Sequence, residues 1–230
     1  MVYLVPNVIA DTPPGEVIPE GGLQVIRTLR HFVAEDIRTV RRFLARVGMP
    51  VPLDELQFYV LNEHTTEAEL AGLARPMQLY DIGMVSEAGA PGVADPGSDL
   101  VRMAHAQGIP VRPLTGPSSL LLALMASGMN GQHFAFHGYL PVKRAERMEA
   151  IRRLEHRALS EGSTQIFIEA PYRNDALLED ILSVCRPATR VCVAAGISSS
   201  SEYIRTLPVA EWKRAKPILH KIPVVFLLGV

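Results

Sequence analysis

Short runs of β-type apolar residues alternate with amphipathic stretches along the whole chain. Apolar runs at 2–5, 32–34, 58–61, 82–86 and 109–111 have the length and bounding turn residues of strands. Between them, residues 23–29, 37–47, 67–74 and 99–106 carry apolar positions at helical spacing. In the second of these, Ile37, Val40, Leu44 and Val47 form the stripe, while Arg38, Arg41, Arg42 and Arg46 occupy the rest. Asp36 stands where it caps that helix and Gly48 where it ends it. Repeated strand-helix alternation predicts a mostly parallel sheet covered on both faces.

After Pro113 the pattern changes. Loop 114–119 leads into a continuously apolar helix at 120–126. Strands follow at 134–137, 165–168, 191–194, 203–206 and 224–228, with helices at 145–160 and 175–184. The close spacing of 191–194 and 203–206 predicts a hairpin return, hence a mixed sheet. The chain reads as an α/β protein of two α/β domains, 1–113 and 114–230, the second with the mixed sheet.

Composition narrows the classes. The 230 residues are 48% hydrophobic and 20% charged, which excludes a disordered or collagen-like chain. A formal net charge of -1 gives no bulk drive toward nucleic acid or anionic lipid. Locally the balance differs: between 143 and 157, six Lys/Arg stand against three Glu. Two cysteines, Cys185 and Cys192, make no disulfide framework and lack the spacing of a metal site. Residues 1–6 have no basic segment ahead of their apolar run, and no apolar stretch reaches the roughly 18–20 residues that cross a bilayer. The expectation is a soluble cytoplasmic protein with no membrane partner.

Candidate chemistry concentrates at strand ends. Residues 86–97 hold three glycines, two prolines and two carboxylates, Glu87 and Asp95, directly after an apolar strand. In open α/β sheets ligands bind at such carboxyl ends, and small residues admit a ligand close to the backbone. Asp95 also reads as a helix N-cap with Pro96 at the first helical position. Neither GxGxxG nor a P-loop is present, so nucleotide phosphate binding is not indicated. Three more polar segments follow strands or mark the boundary: Glu35-Asp36, Thr115-Gly116-Pro117-Ser118-Ser119, and Glu169-Ala170-Pro171-Tyr172-Arg173. Each has a plainer reading as a cap or connection. Asn62-Glu63-His64 ends another strand, where the lone histidine reads more readily as structural. No Gly-x-Ser-x-Gly or defensible Ser/His/Asp set supports a hydrolase.

Taken in order, these segments resemble the tetrapyrrole methylase superfamily of S-adenosylmethionine-dependent methyltransferases. The likeness is nearest to the bacterial 16S ribosomal RNA ribose 2′-O-methyltransferase branch. It is carried by Phe32-Val33-Ala34-Glu35-Asp36-Ile37-Arg38 with Arg41-Arg42, the 85–97 block, the 115–119 turn, Phe136-His137-Gly138-Tyr139-Leu140-Pro141, and Ile168-Glu169-Ala170-Pro171-Tyr172-Arg173. The resemblance implies two α/β domains with the cofactor in the cleft between them, and a homodimer. It places Ala88, Gly89, Ala90, Pro91 and Val93 around the methionine part of the cofactor. Ser118 and Ser119 fall on a cofactor turn, Glu169 and Ala170 beside the adenosine, and Gly196 near the adenine.

Three departures stand out. Val8 and Ala10 occupy the places of the branch's amino-terminal Pro-x-Gly, and Ala194-Ala195-Gly196-Ile197-Ser198 replaces a charged block. The resemblance is to a short form that ends at the final strand, without the small extra carboxyl-terminal domain. For a hydroxyl acceptor, the candidate bases are Glu35, Glu87 and Asp95, and Arg38, Arg41 and Arg42 are candidates for holding an acceptor such as ribosomal RNA. A tetrapyrrole-like or other small-molecule acceptor, and a non-catalytic cofactor-binding module, remain as alternatives.

Overall fold

The computed structural model describes residues 1–62, 64–94 and 97–230. The chain divides into two compact units, Met1–Ser118 and Ser119–Val230.

The first unit begins with β1 (Val2–Val5), α1 (Pro14–Val17), α2 (Glu20–Thr28) and β2 (His31–Ala34). It continues with α3 (Ile37–Val47), β3 (Gln57–Val60), α4 (Glu67–Gly72) and α5 (Ala74–Leu79). β4 (Ile82–Val85), α6 (Ser98–Ala106) and β5 (Val111–Pro113) complete it. The five strands form one parallel sheet in the order β3-β2-β4-β1-β5. Strand alternation divides the core between the two faces. Phe32 and Ala34 pack with Leu23, Ile26, Val40, Phe43 and Leu44 of α2 and α3. Val33, Ile82 and Met84 pack with Met77, Leu100 and Ala104 of α5 and α6. α3 leads from β2 outward to β3, whereas α6 leads from β4 to the opposite edge. The connections of these adjacent strands thus diverge, which opens the sheet's carboxyl end between them.

Asp36 caps α3 by accepting from the Thr39 N–H at 2.9 Å, and Gly48 ends it in the left-handed conformation at φ +75°. Elsewhere the expected boundaries shift. The helix expected over 67–74 is two helices, because Pro76 has no N–H with which to continue α4 into α5. The strand expected at 109–111 is paired later, at Val111–Pro113. α6 begins at Ser98 with Gly97 at its N-cap position, and Asp95 and Pro96, where the cap is expected, lie outside the described residues.

The division at 118/119 falls later than the 113/114 change in sequence pattern. The intervening loop belongs to the first unit: the Leu114 N–H donates to the Leu4 carbonyl at 2.9 Å, and Pro117 is buried.

The second unit comprises α7 (Ser119–Ser127), β6 (Phe134–Tyr139), α8 (Arg144–Glu161) and β7 (Thr164–Ile168). It continues through α9 (Asn174–Val184), β8 (Arg190–Ala195), β9 (Tyr203–Pro208), α10 (Val209–Trp212) and β10 (Val224–Gly229). Its sheet has the order β6-β7-β10-β8-β9, with only β6 and β7 parallel. One face buries Phe167, Val191, Val193 and Phe226 against α8 and α9. Trp212 is fully buried there and its indole N–H donates to the Val191 carbonyl at 2.9 Å. On the opposite face the Thr206 hydroxyl donates to the Ser127 carbonyl at 2.7 Å, which ties α7 to β9.

Candidate functional site

In the first unit, the end of β4 runs into the glycine-rich loop, and the loop is built on a small set of backbone contacts. Asn7, two residues past β1, bridges Gly89 in antiparallel fashion, with N···O distances of 2.9 and 3.1 Å. Its side-chain amide donates to the carbonyls of Ser86 at 3.1 Å and Glu87 at 3.0 Å. The Ser86 hydroxyl donates to the Gly89 carbonyl at 2.9 Å. Gly89 has φ +72°, which favours glycine, and a Cβ there would press on Ile9 Cγ2 at 3.2 Å. Gly116 is tighter still: its Cβ would fall 2.3 Å from Cβ and Cγ of Pro6. Segments 5–9, 86–89 and 116–117 therefore meet at one place. Beyond it the loop opens outward, with Glu87, Ala88 and Val93 exposed and Ala90 and Pro91 half-buried.

Next to this loop, a shallow crevice lies at the divergence of β2 and β4. Val33, Ala34, Glu35, Met84, Val85 and Gly97 line it. Glu35 is half-buried there, on the turn between β2 and α3. Glu35 and the Gly89 loop thus share one end of the sheet. Glu87 also belongs to that loop, with an exposed side chain. Asp95 lies outside the described residues.

The three arginines of α3 divide. Arg41 pairs with Asp54, and its guanidinium stands 5.8 Å from the Phe58 ring centroid. Arg42 is exposed and reaches the Thr39 hydroxyl at 3.2 Å, and Arg38 is exposed. Ser118, half-buried, ends the first unit, and Ser119 opens α7 in the second.

In the second unit the expected residues also converge. β10 lies between β7 and β8 and runs antiparallel to both, so its start meets their carboxyl ends. Glu169 follows β7, and its side chain is fully buried. Its Oε1 accepts from the Ala170 N–H at 2.7 Å and from Arg173 Nη2 at 2.6 Å. Gly196 follows β8 at φ +58°, with its N–H donating to the Pro223 carbonyl at 2.9 Å. Asn174 Nδ2 donates to the neighbouring Ile222 carbonyl at 2.7 Å. Two buried acceptors at this end, Glu169 Oε2 and Asn174 Oδ1, have no hydrogen-bond donor among the described residues.

Asn7 and Asn174 are the residues that sequence reasoning missed. Asn7 carried a signal, a polar side chain just beyond the first strand within a segment already marked as divergent. Asn174 carried none beyond its place after Arg173.

Similarity to known proteins bears on this arrangement. The family of Tetrapyrrole (Corrin/Porphyrin) Methylases matches residues 13–213. A ribosomal RNA small subunit methyltransferase I from Pseudomonas aeruginosa is 35% identical over 88% of this chain and 70% of its own length. The protein of that name from Escherichia coli O157:H7 is 32% identical over 91% of this chain and 70% of its own. For the Xylella fastidiosa (strain Temecula1) protein, the figures are 38%, 70% and 56%. Among solved structures, the methyltransferase CobJ superposes with a TM-score of 0.63 at 18% identity, covering 99% of this chain and 93% of that one. The uroporphyrin-III C-methyl transferase from Thermus thermophilus, complexed with S-adenyl homocysteine, gives 0.58 at 19% identity over 99% and 96%. The chain belongs to the tetrapyrrole methylase family and is an S-adenosylmethionine-dependent methyltransferase.

Proposed function

We propose that this chain methylates RNA of the small ribosomal subunit at a ribose 2′-hydroxyl. The observation that carries the reading is identity above 30% to relatives named ribosomal RNA small subunit methyltransferase I, over most of this chain. The matched stretch is 70% of the Pseudomonas protein and 56% of the Xylella one.

The residues present fit S-adenosylmethionine. The loop built on Asn7 and Gly89 offers backbone without bulk at Ala88, Gly89, Ala90, Pro91 and Val93 for the methionine part. The buried Glu169 Oε2 and Asn174 Oδ1 call for donors, which the cofactor carries as amine and ribose hydroxyls. In this reading Ser118, Ser119, Ala170 and Gly196 complete the contacts. The cofactor supplies a methyl group made electrophilic by its sulfonium.

Glu35 is the residue we assign to the acceptor hydroxyl. Its carboxylate, half-buried at the crevice, takes the proton that the ribose oxygen loses. Glu87, exposed on the loop, and Asp95 are the weaker assignments. Arg38 and Arg42 hold backbone phosphates, because their guanidinium groups reach outward. Arg41 serves that role less, being paired with Asp54. We further propose a homodimer working in the cytoplasm. Among the described residues no helix is long and apolar enough to cross a membrane.

The test is transfer of tritiated methyl to small ribosomal subunits, naked small-subunit RNA and a porphyrin precursor. Label is expected in RNA, in dinucleotides that survive alkali because a methylated 2′-oxygen cannot attack the neighbouring phosphate. Label in the porphyrin alone would overturn the reading. Light scattering at micromolar concentration is expected to give twice the 25.2 kDa chain mass.

A further inference from the structure

Residues 8–10, Val-Ile-Ala, lack the restriction that a Pro-x-Gly would give them, yet segment 5–9 is the support on which the glycine-rich loop rests. We infer that Asn7 is a positioning residue that sets the shape of the cofactor loop, doing with side-chain hydrogen bonds what a restricted backbone would otherwise do. The inference rests on the placement of S-adenosylmethionine at residues 88–93.

Asn7 is only 2% exposed, and its hydrogen bonds account for it fully. The Val8 N–H donates to Oδ1 at 2.8 Å, which fixes the amide's orientation and aims Nδ2 at the loop. Nδ2 then donates to the two carbonyls on either side of Glu87. One amide group so holds both peptide planes that flank Glu87. The paired backbone bonds between Asn7 and Gly89 fix the next point, where φ +72° turns the chain. Ile9 packs against Gly89 on the same side. Ala88 and Ala90 are suspended from this clamp. Local sequence cannot hold them, since a run of alanine and glycine samples many conformations. Pre-ordering the loop lowers the entropy lost on ligand binding.

A pair of near-isosteric replacements isolates the donor. Asn7→Val removes it, and Asn7→Thr restores one hydroxyl donor in the same volume. Binding of S-adenosylhomocysteine is measured by calorimetry for parent, both variants and Ala90→Leu, with thermal melts alongside. The expected result is about a tenfold or greater loss of affinity in Asn7→Val, since two buried carbonyls lose their donor. Asn7→Thr is expected to recover part of it. A purely structural role would lower the melting temperature of both variants and leave the affinity of the folded protein unchanged. If both bind as the parent does while Ala90→Leu does not, the inference is overturned and the cofactor placement stands. If Ala90→Leu binds normally, the placement itself is wrong and the inference falls with it. Should Asn7→Val fail to fold, amide exchange in the parent decides: the Gly89 N–H is expected to be protected before ligand is added. Fast exchange there would refute the clamp.

Discussion

Arg147 holds Asp180 from α8 to α9 through two donors, Nε at 2.9 Å and Nη2 at 2.6 Å, both to Oδ2. The two side chains are 8% and 2% exposed, so this is an ion pair inside the second unit. Arg144 adds a third bond, to Oδ1 at 2.8 Å, and Arg147 Nη1 donates to the Val142 carbonyl at 2.8 Å. Every polar atom of the pair is thereby engaged.

Removing one partner leaves the other charged and buried. Asp180→Ala is expected to cost about 3–5 kcal/mol in urea denaturation, because Arg147 then has no counter-ion. Pairing it with Arg147→Met should recover much of the loss. A double variant no better than Asp180→Ala would show that packing, and not the stranded charge, sets the cost.

The cysteines give a second check. Burial pushes the Cys185 thiol up to about 12, and the Glu155 carboxylate beside it adds to the effect. Burial also raises Cys192, against a smaller lowering by the Thr206 hydroxyl. At pH 8 Cys185 then carries almost no thiolate and Cys192 less than a free thiol would, and the thiolate is the reactive form. Native protein is expected to resist a disulfide reagent at that pH, and both thiols should react at once in denaturant. Stoichiometric labelling of folded protein would contradict the burial.

At the start of α3, hydrogen bonding from the Thr39 N–H holds the Asp36 carboxyl below its ordinary 3.8. Folding therefore favours the ionised form. The stability this adds is fully present above the ordinary value and is lost as pH falls through the lowered one. Asn at this position still accepts from Thr39 but does not titrate. Melting temperatures between pH 7 and pH 2.5 are expected to fall further for the parent than for Asp36→Asn. Parallel curves would sink the assignment.

How much of this was legible in sequence depends on the reach of each interaction. The capping of α3 lies within four residues, from Asp36 to Thr39, and the sequence displays it completely. The parallel sheet follows from repeated alternation, and its cofactor-type loop from glycine and proline after a strand. Asn7 acts across 79 and 80 residues, so no local pattern reveals its partners. The same holds for Arg147, whose partner is 33 residues away. Its charge reads as a surface feature on a helix rich in arginine, and the structure corrects this. Glu149 pairs with Arg152, three residues on along the same helix.

These ion pairs limit which basic residues are left to meet RNA. Of the basic residues on and beside α8, Arg144 and Arg147 are spent on Asp180, Lys143 pairs with Glu146, Arg152 with Glu149, and Arg157 with Glu161. Among the described residues Arg153 has no ion pair. On α3, Arg41 is paired with Asp54 and Arg46 with Asp11, which leaves Arg38 and Arg42 to act outward. A phosphate contact contributes roughly 0.7–0.9 to the slope of log affinity against log salt. Each of Arg38→Ala, Arg42→Ala and Arg153→Ala is therefore expected to flatten that slope by just under about one unit on small-subunit RNA. Arg41→Ala should change it little, because its charge is already balanced by Asp54. Binding measured from 50 mM salt upward for the four variants decides the matter. If Arg41→Ala flattens the slope as much as Arg42→Ala, the Asp54 pair opens on binding. Parallel slopes for parent, Arg38→Ala and Arg42→Ala would move the RNA off the α3 surface.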